Sequence, residues 1–300
     1  MPLAVIAAVL FSAMLHAGWN ALLRNSVDRQ WTASWIGIST FLVCAPLIPF
    51  VGLPRLSWPF VLCSAVLHVL YLTLLAQVYK LNELSFAYPI ARGTSPMLVA
   101  VGGFVTASEK PGLVQALGIV AIVAGIIGIG LESKKWDRLG LLVALAIGVV
   151  IALYTVVDGI GARRSGLPMQ YNVWCFSTYG FAILVIQIAQ RGRRILECSR
   201  SDFAMAFCGG MTSVIAYAIV TWAMVHSPMG SVSALRETST LFAAGIGMIF
   251  LKERFSMQRA LGCVAIVAGA VVIGMAYEPQ VPAAPVVDVS VASQLPPGLR

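Results

Sequence analysis

ARGTSPMLVAVGGFVTASEKPGLVQALGIVAIVAGIIGIG, residues 91–130, recurs in this chain as an imperfect copy at residues 235–274. Sliding it by 144 positions (236 − 92 = 144) brings Arg92, Thr94, Ser95, Ala100, Gly103 and Glu109 onto Arg236, Thr238, Ser239, Ala244, Gly247 and Glu253. Ala116-Leu117-Gly118 falls on Ala260-Leu261-Gly262, and the run VAIVAG, Val120 to Gly125, returns letter for letter as Val264 to Gly269. Ile129-Gly130 closes the copy as Ile273-Gly274. Each copy carries an arginine inside an apolar run. Apolar repeats built around intramembrane charge are a feature of transporters.

Outward from the repeat, the rest of the chain has the same character. It is 59% hydrophobic and only 11% charged, with a mean hydropathy of +0.88. Soluble domains sit near 45–50% apolar and about 25% charged, so lipid is the solvent that this composition suits. The net charge of +8 is no nucleic-acid footprint, because most Lys and Arg fall in short connectors between apolar runs. The six cysteines form no CxxC pair, and neither a disulfide framework nor a metal site is expected. No cofactor is called for. Met1 to Leu23 lacks Lys and Arg and reads as a first span rather than a cleaved signal.

A span needs roughly 17–25 apolar residues. Breaks at charged or Pro/Gly-rich connectors give about ten helices: 2–23, 31–50, 58–80, 84–107, 112–131, 139–161, 170–189, 203–225, 229–250 and 257–276. A barrel is excluded by the lack of alternation. The expected class is an all-α polytopic membrane protein of about ten transmembrane helices in two inverted five-helix repeats. Residues 1–135 make the first and 136–276 the second. The Pro-rich residues 277–300 read as a disordered tail. Inversion follows because the copies begin in the fourth and ninth spans, an odd separation. Lys and Arg concentrate after spans one, three, five, seven and nine, which puts both termini outside the cytoplasm.

Two five-helix halves, each with a connector glutamate (Glu109, Glu253) and a Gly-Ala-rich closing helix bearing AIVAG, resemble the EamA-type branch of the drug/metabolite transporter superfamily. The resemblance covers nearly all of residues 1–276. It implies a multi-pass cell-membrane transporter and not an enzyme, most often an exporter, of amino acids, drugs, sugars or other metabolites. Arg92 and Arg236 lie outside the general family pattern. They are more similar to the core basic residues of the superfamily's phosphate-ester carriers.

Arg92 stands about eight residues into its span, so at 1.5 Å per residue it lies roughly 12 Å deep, and Arg236 enters from the other side. An unpaired guanidinium there costs at least about 2.5–3.5 kcal/mol. The two are either clamps for a carboxylate, phosphate or phosphonate, whose oxygens suit a planar fork, or structural partners of Glu237 and Asp158. Glu237 follows Arg236 directly and points about 100° away on a helix, so it is expected to pair with Arg92 or to serve as a protonatable coupling group. Tyr88, Pro89 and Pro96 are expected to break the fourth span beside a cavity, and the second half lacks both prolines. His16, Trp19 and Asn20 in the first span, and Tyr154 and Asp158 in the sixth, make polar i, i+4 faces that should turn inward. His68 and His226 read as structural or interfacial. Thr94 and Thr238 flank the arginines in both copies and complete the candidate substrate-binding set.

The expected function is secondary transport of a small organic anion by alternating access, with proton coupling through Glu237 or Asp158 as an option. Two other readings stand beside it. One is an exporter of amino acids or cationic or apolar drugs, with structural arginines. The other is a non-transporting subunit of a lipid- or sugar-translocating complex. Expected partners are a small-molecule metabolite and the bilayer, with no nucleic acid, and a monomer or homodimer. Ala121-x3-Gly125 and Ala265-x3-Gly269 should let helices approach closely.

Overall fold

A computed structural model describes residues 1–25, 29–80, 84–110, 112–130, 138–197, 199–251 and 256–275. The expected tail, Glu253 and the 131–137 connector lie outside them. Every regular element among the described residues is helical. The chain runs α1 (Leu3–Asn25), α2 (Arg29–Cys44), the short α3 (Ile48–Val51), α4 (Trp58–Lys80), α5 (Leu84–Ala107) and α6 (Leu113–Gly130). It continues through α7 (Arg138–Ser165), α8 (Pro168–Arg191), α9 (Arg200–His226), α10 (Met229–Arg236), α11 (Ser239–Leu251) and α12 (Met257–Met275).

Six of these stretches are each long and apolar enough to cross a membrane, among them Arg138–Ser165, Pro168–Arg191 and Arg200–His226. Large exposed apolar side chains stand on the outside, such as Phe50, Val66 and Leu142 on these stretches and Val105 on α5. Buried polar ones stand inside, such as Asp158 and Thr221 on these stretches, Arg92 on α5 and Glu237 at the end of α10. That inside-out polarity is what lipid requires, since a polar group facing hydrocarbon finds no partner. The molecule is a multi-pass membrane protein.

Glycine decides how closely the two repeat copies pack. A Cβ on Gly125 would lie 2.6 Å from the carbonyl oxygen of Gly262, and one on Gly118 would lie 2.9 Å from that of Gly269. These contacts are reciprocal, because Gly262 is Gly118 plus 144 and Gly269 is Gly125 plus 144. As numbers rise along α6 they fall along α12, so the pair is antiparallel. Backbones this close leave no room for a side chain. Gly125→Val is therefore expected to destabilise the protein by about 2–3 kcal/mol through overpacking. Gly128→Ala, with nothing within 4 Å of its added methyl, should unfold at the parent's temperature. Thermal unfolding in detergent checks both.

Two expectations about breaks are corrected. The fourth span is not interrupted at Pro89 and Pro96: α5 is one helix from Leu84 to Ala107. Packing against α7, α6 and α10 holds it through the N–H groups that its prolines lack, as neighbours do for membrane helices. The ninth span, predicted unbroken, divides at Glu237-Thr238 into α10 and α11. There the backbone switches to shorter-range bonds, from Glu237 N–H to Ala234 O (3.0 Å) and from Thr238 N–H to Leu235 O (3.1 Å). The hydroxyls of Thr238 and Thr240 bond to the carbonyls of Leu235 (2.7 Å) and Glu237 (2.8 Å). Hydroxyls that bond their own backbone compete with the α-helical ladder, and Thr238 and Thr240 supply two, on either side of Ser239, whose hydroxyl accepts from Arg92. A smaller correction concerns Arg163 and Arg164, expected in a connector, which stand on α7 because that helix extends to Ser165.

Candidate functional site

The helix break turns a two-residue sequence neighbourhood into a charge cluster. Arg236 is the last residue of α10 and Glu237 its cap, while Arg92 arrives from the ninth position of α5. Gly148 on α7 permits this approach, since a Cβ there would sit 3.0 Å from the Ala91 carbonyl oxygen. Arg92 Nε lies 2.6 Å from Glu237 Oε2, and Arg92 Nη2 donates to Ser239 Oγ at 3.2 Å. Arg236 Nη2 is 3.7 Å from Glu237 Oε1, and its guanidinium carbon stands 6.0 Å over the Tyr217 ring.

Two guanidiniums thus share one carboxylate. Side-chain exposure is 3% for each arginine and 0% for Glu237, so water does not spread the excess charge. As the spacing predicts, Glu237's close partner is Arg92. Its looser contact with Arg236, unexpected for adjacent residues on a helix, exists because the helix ends between them. Arg236 Nε and Nη2 find no hydrogen-bond acceptor among the described residues.

Both arginines line a cavity of about 100 Å³. His16, Trp19 and Asn20 of α1 line it too, as does Tyr154 of α7. Trp19 Nε1 donates to His16 Nδ1 at 3.3 Å. The ring's hydrogen therefore sits on Nε2, which has no hydrogen-bond partner among the described residues. Asn20 Nδ2 donates to the His16 carbonyl at 2.7 Å and fixes the turn that presents both.

Four candidates do not line the cavity. Asp158 is fully buried and accepts from Tyr171 Oη at 2.7 Å and Tyr217 Oη at 2.5 Å. The Tyr217 ring separates it from Arg236. Thr94 bonds to the Ile90 carbonyl at 3.0 Å, Thr238 stabilises the helix break, and Glu237 lies behind the arginines. Tyr88 belongs to α5, but its side chain lies outside the described residues.

Sequence reasoning missed the aromatic wall. His68, read as structural or interfacial, stacks on Tyr154 with centroids 4.2 Å apart and lies 5.1 Å from Tyr179 and 5.9 Å from Tyr217. Tyr71 and Phe176 join them around the cavity. The available signal was the i, i+3 spacing of His68 with Tyr71 and of Phe176 with Tyr179, which places each pair on one helix face. Aromatic residues at helical spacing mark ordinary cores equally well, so the signal does not single out a site.

The cavity lies toward one end of the bundle: among its lining residues, Asn20, Ala33 and Leu75 stand near the C-termini of α1 and α4 and the N-terminus of α2. Toward the other end lies Glu109, the connector glutamate of the first copy. Glu109 Oε1 pairs with Arg163 Nη2 at 2.5 Å, and Oε2 accepts the Met229 N–H at 2.9 Å at the start of α10. Arg163 Nε also donates to the Met224 carbonyl at 2.9 Å. One carboxylate thereby ties the α5–α6 connector to α7, α9 and α10. Glu109→Ala is expected to cost about 1–3 kcal/mol, the range for leaving a buried donor unpaired, with part of the Arg163 loss relieved by solvent. Unfolding in detergent measures it; a parent-like value would show the tie to be energetically silent.

Residues 138–275 match the model of the EamA-like transporter family. This half of the chain is EamA-like. The 144-residue repeat (236 − 92 = 144) relates residues 91–130 of the other half to the matched region, and the drug/metabolite transporter resemblance stands on both. Members of that family are membrane transporters rather than enzymes. A solved structure titled "Crystal structure of protein" is similar at a TM-score of 0.68 and 17% identity, over 91% of this chain and 96% of that one. At that identity it speaks for the fold. A comparison with curated proteins gives no match.

Proposed function

We propose that this EamA-like protein is a secondary transporter of a small organic anion, working by alternating access between two inverted five-helix halves. The single observation that carries the anionic assignment is the charge count at the cavity. Two arginines facing it share one buried glutamate, leaving one positive charge and at least two undirected donors. An anion's oxygens would satisfy both, because a planar guanidinium presents paired N–H groups to carboxylate, phosphate or phosphonate. Arg236 is the substrate's contact in this reading, and Arg92 holds Glu237 in place. His16 Nε2 adds a further donor, with Trp19, Asn20 and Tyr154 shaping the wall.

The antiparallel, reciprocal α6–α12 contact is what ten spans in inverted halves would produce about an in-plane axis. The Glu109–Arg163 tie at one end and a cavity placed toward the other support a state with access from one side. Under the positive-inside rule the open side, bearing the connectors after spans one and three, is the cytoplasmic one. Export is the expected direction by resemblance.

Proteoliposome transport of anionic, zwitterionic and cationic metabolites tests the reading. Anions should move and compete with one another; uptake restricted to cations or uncharged drugs would overturn it. A non-transporting subunit would bind none of them. Coupling through Glu237 or Asp158 predicts that an imposed proton gradient changes the initial rate by severalfold, and a rate indifferent to the gradient removes it.

A further inference from the structure

Resting on that reading, the walls of the same cavity narrow the substrate further. We propose that the substrate is a monoanion with a flat ring body and no ammonium group. Its acid head would lie on Arg236 and His16, and its ring against the wall formed by Tyr154, Tyr179 and Phe176.

Three observations carry this. The first is charge: with Glu237 neutralising one arginine, one negative charge on the ligand balances the site, and a second would be left over. The second is the absence of a carboxylate from the described lining of the cavity. Glu237 lies behind the arginines, and both Asp158 oxygens are taken by tyrosine hydroxyls on the other side of the Tyr217 ring. An ammonium would therefore meet no anionic acceptor among the described lining residues and would face the surplus positive charge. The open ring face nearest the cluster, that of Tyr217, is occupied by Arg236 itself. The third is shape. The cavity wall includes Tyr154 and Tyr179, packed on His68 at 4.2 and 5.1 Å, and Phe176, 5.9 Å from the Tyr217 ring, a surface that favours offset stacking of another ring. The space of about 100 Å³ is smaller than the ~150 Å³ that holds a benzene, so it leaves no room for a body larger than one ring, such as a nucleotide's.

The test is ligand-dependent thermal stabilisation of the purified protein in detergent. Its panel is benzoate and phenylphosphonate, acetate and methylphosphonate, phenylalanine, and benzyltrimethylammonium. The ring acids should half-saturate at about tenfold lower concentration than their head-only counterparts, the ratio that one well-placed ring contact supports. They should beat phenylalanine by at least as much. Tyr154→Leu should bring the ring acids down toward the head-only acids, while Tyr154→Phe keeps their advantage; Phe176→Leu serves where Tyr154→Leu does not fold. Equal action by acetate or methylphosphonate overturns the ring body and leaves the anion site standing. Equal action by phenylalanine overturns the exclusion of ammonium. Stabilisation by benzyltrimethylammonium alone overturns the anion site itself. No response to any member overturns the present inference.

Discussion

Glu237→Gln is expected to destabilise the protein by about 3–5 kcal/mol, the cost of removing one partner from a buried ion pair. The reason lies in the ratio of charges. Arg92 and Arg236 are both buried, and the Glu237 carboxylate is the acid within ion-pair distance of each. Glutamine keeps the shape and removes the charge, so two guanidiniums would face each other across a low-dielectric gap. Chemical or thermal unfolding in detergent reads the loss directly. Arg92→Gln should cost nearly as much, because it breaks the 2.6 Å contact and leaves Glu237 only the 3.7 Å one. A Glu237→Gln protein as stable as the parent would mean that something else balances the arginines.

Arg236→Gln should behave in the opposite way. The tight Arg92–Glu237 pair survives, the cluster becomes neutral, and stability should stay within about 1 kcal/mol of the parent. Anion binding and transport should fall by about 100-fold, since loss of a charge-assisted contact in a buried site costs at least 2–3 kcal/mol. Arg236→Lys restores a charge without the planar fork and should recover only part of the affinity. This split separates the two arginines: one holds the site together and the other faces the ligand. Equal affinity in Arg236→Gln, measured by ligand-dependent stabilisation, would reduce both arginines to structure and revive the reading in which they serve packing alone.

How far the sequence went can be judged from particular residues. The positions of the spans were legible from apolar run length, because a helix in lipid must bury its backbone over a fixed thickness. A close helix approach was legible as small residues at i and i+4 repeated at a fixed offset, but that the two copies meet each other, α6 against α12, was not. Proline misled at Pro89 and Pro96, since packing can replace a lost bond while a propensity carries no knowledge of neighbours. The true break falls at two threonine hydroxyls, Thr238 and Thr240, whose effect depends on which carbonyls their side chains reach.

By itself, the sequence determined the solvent, the helical class, the duplicated helix pair and the presence of two arginines inside apolar runs, because composition, run length and repetition are properties of the chain alone. Only the tertiary structure decided that both arginines meet on one glutamate, that Asp158 is sealed behind tyrosines, and that His68 anchors an aromatic wall. Those facts depend on distances between residues far apart in the chain, and such distances are fixed by how the helices pack.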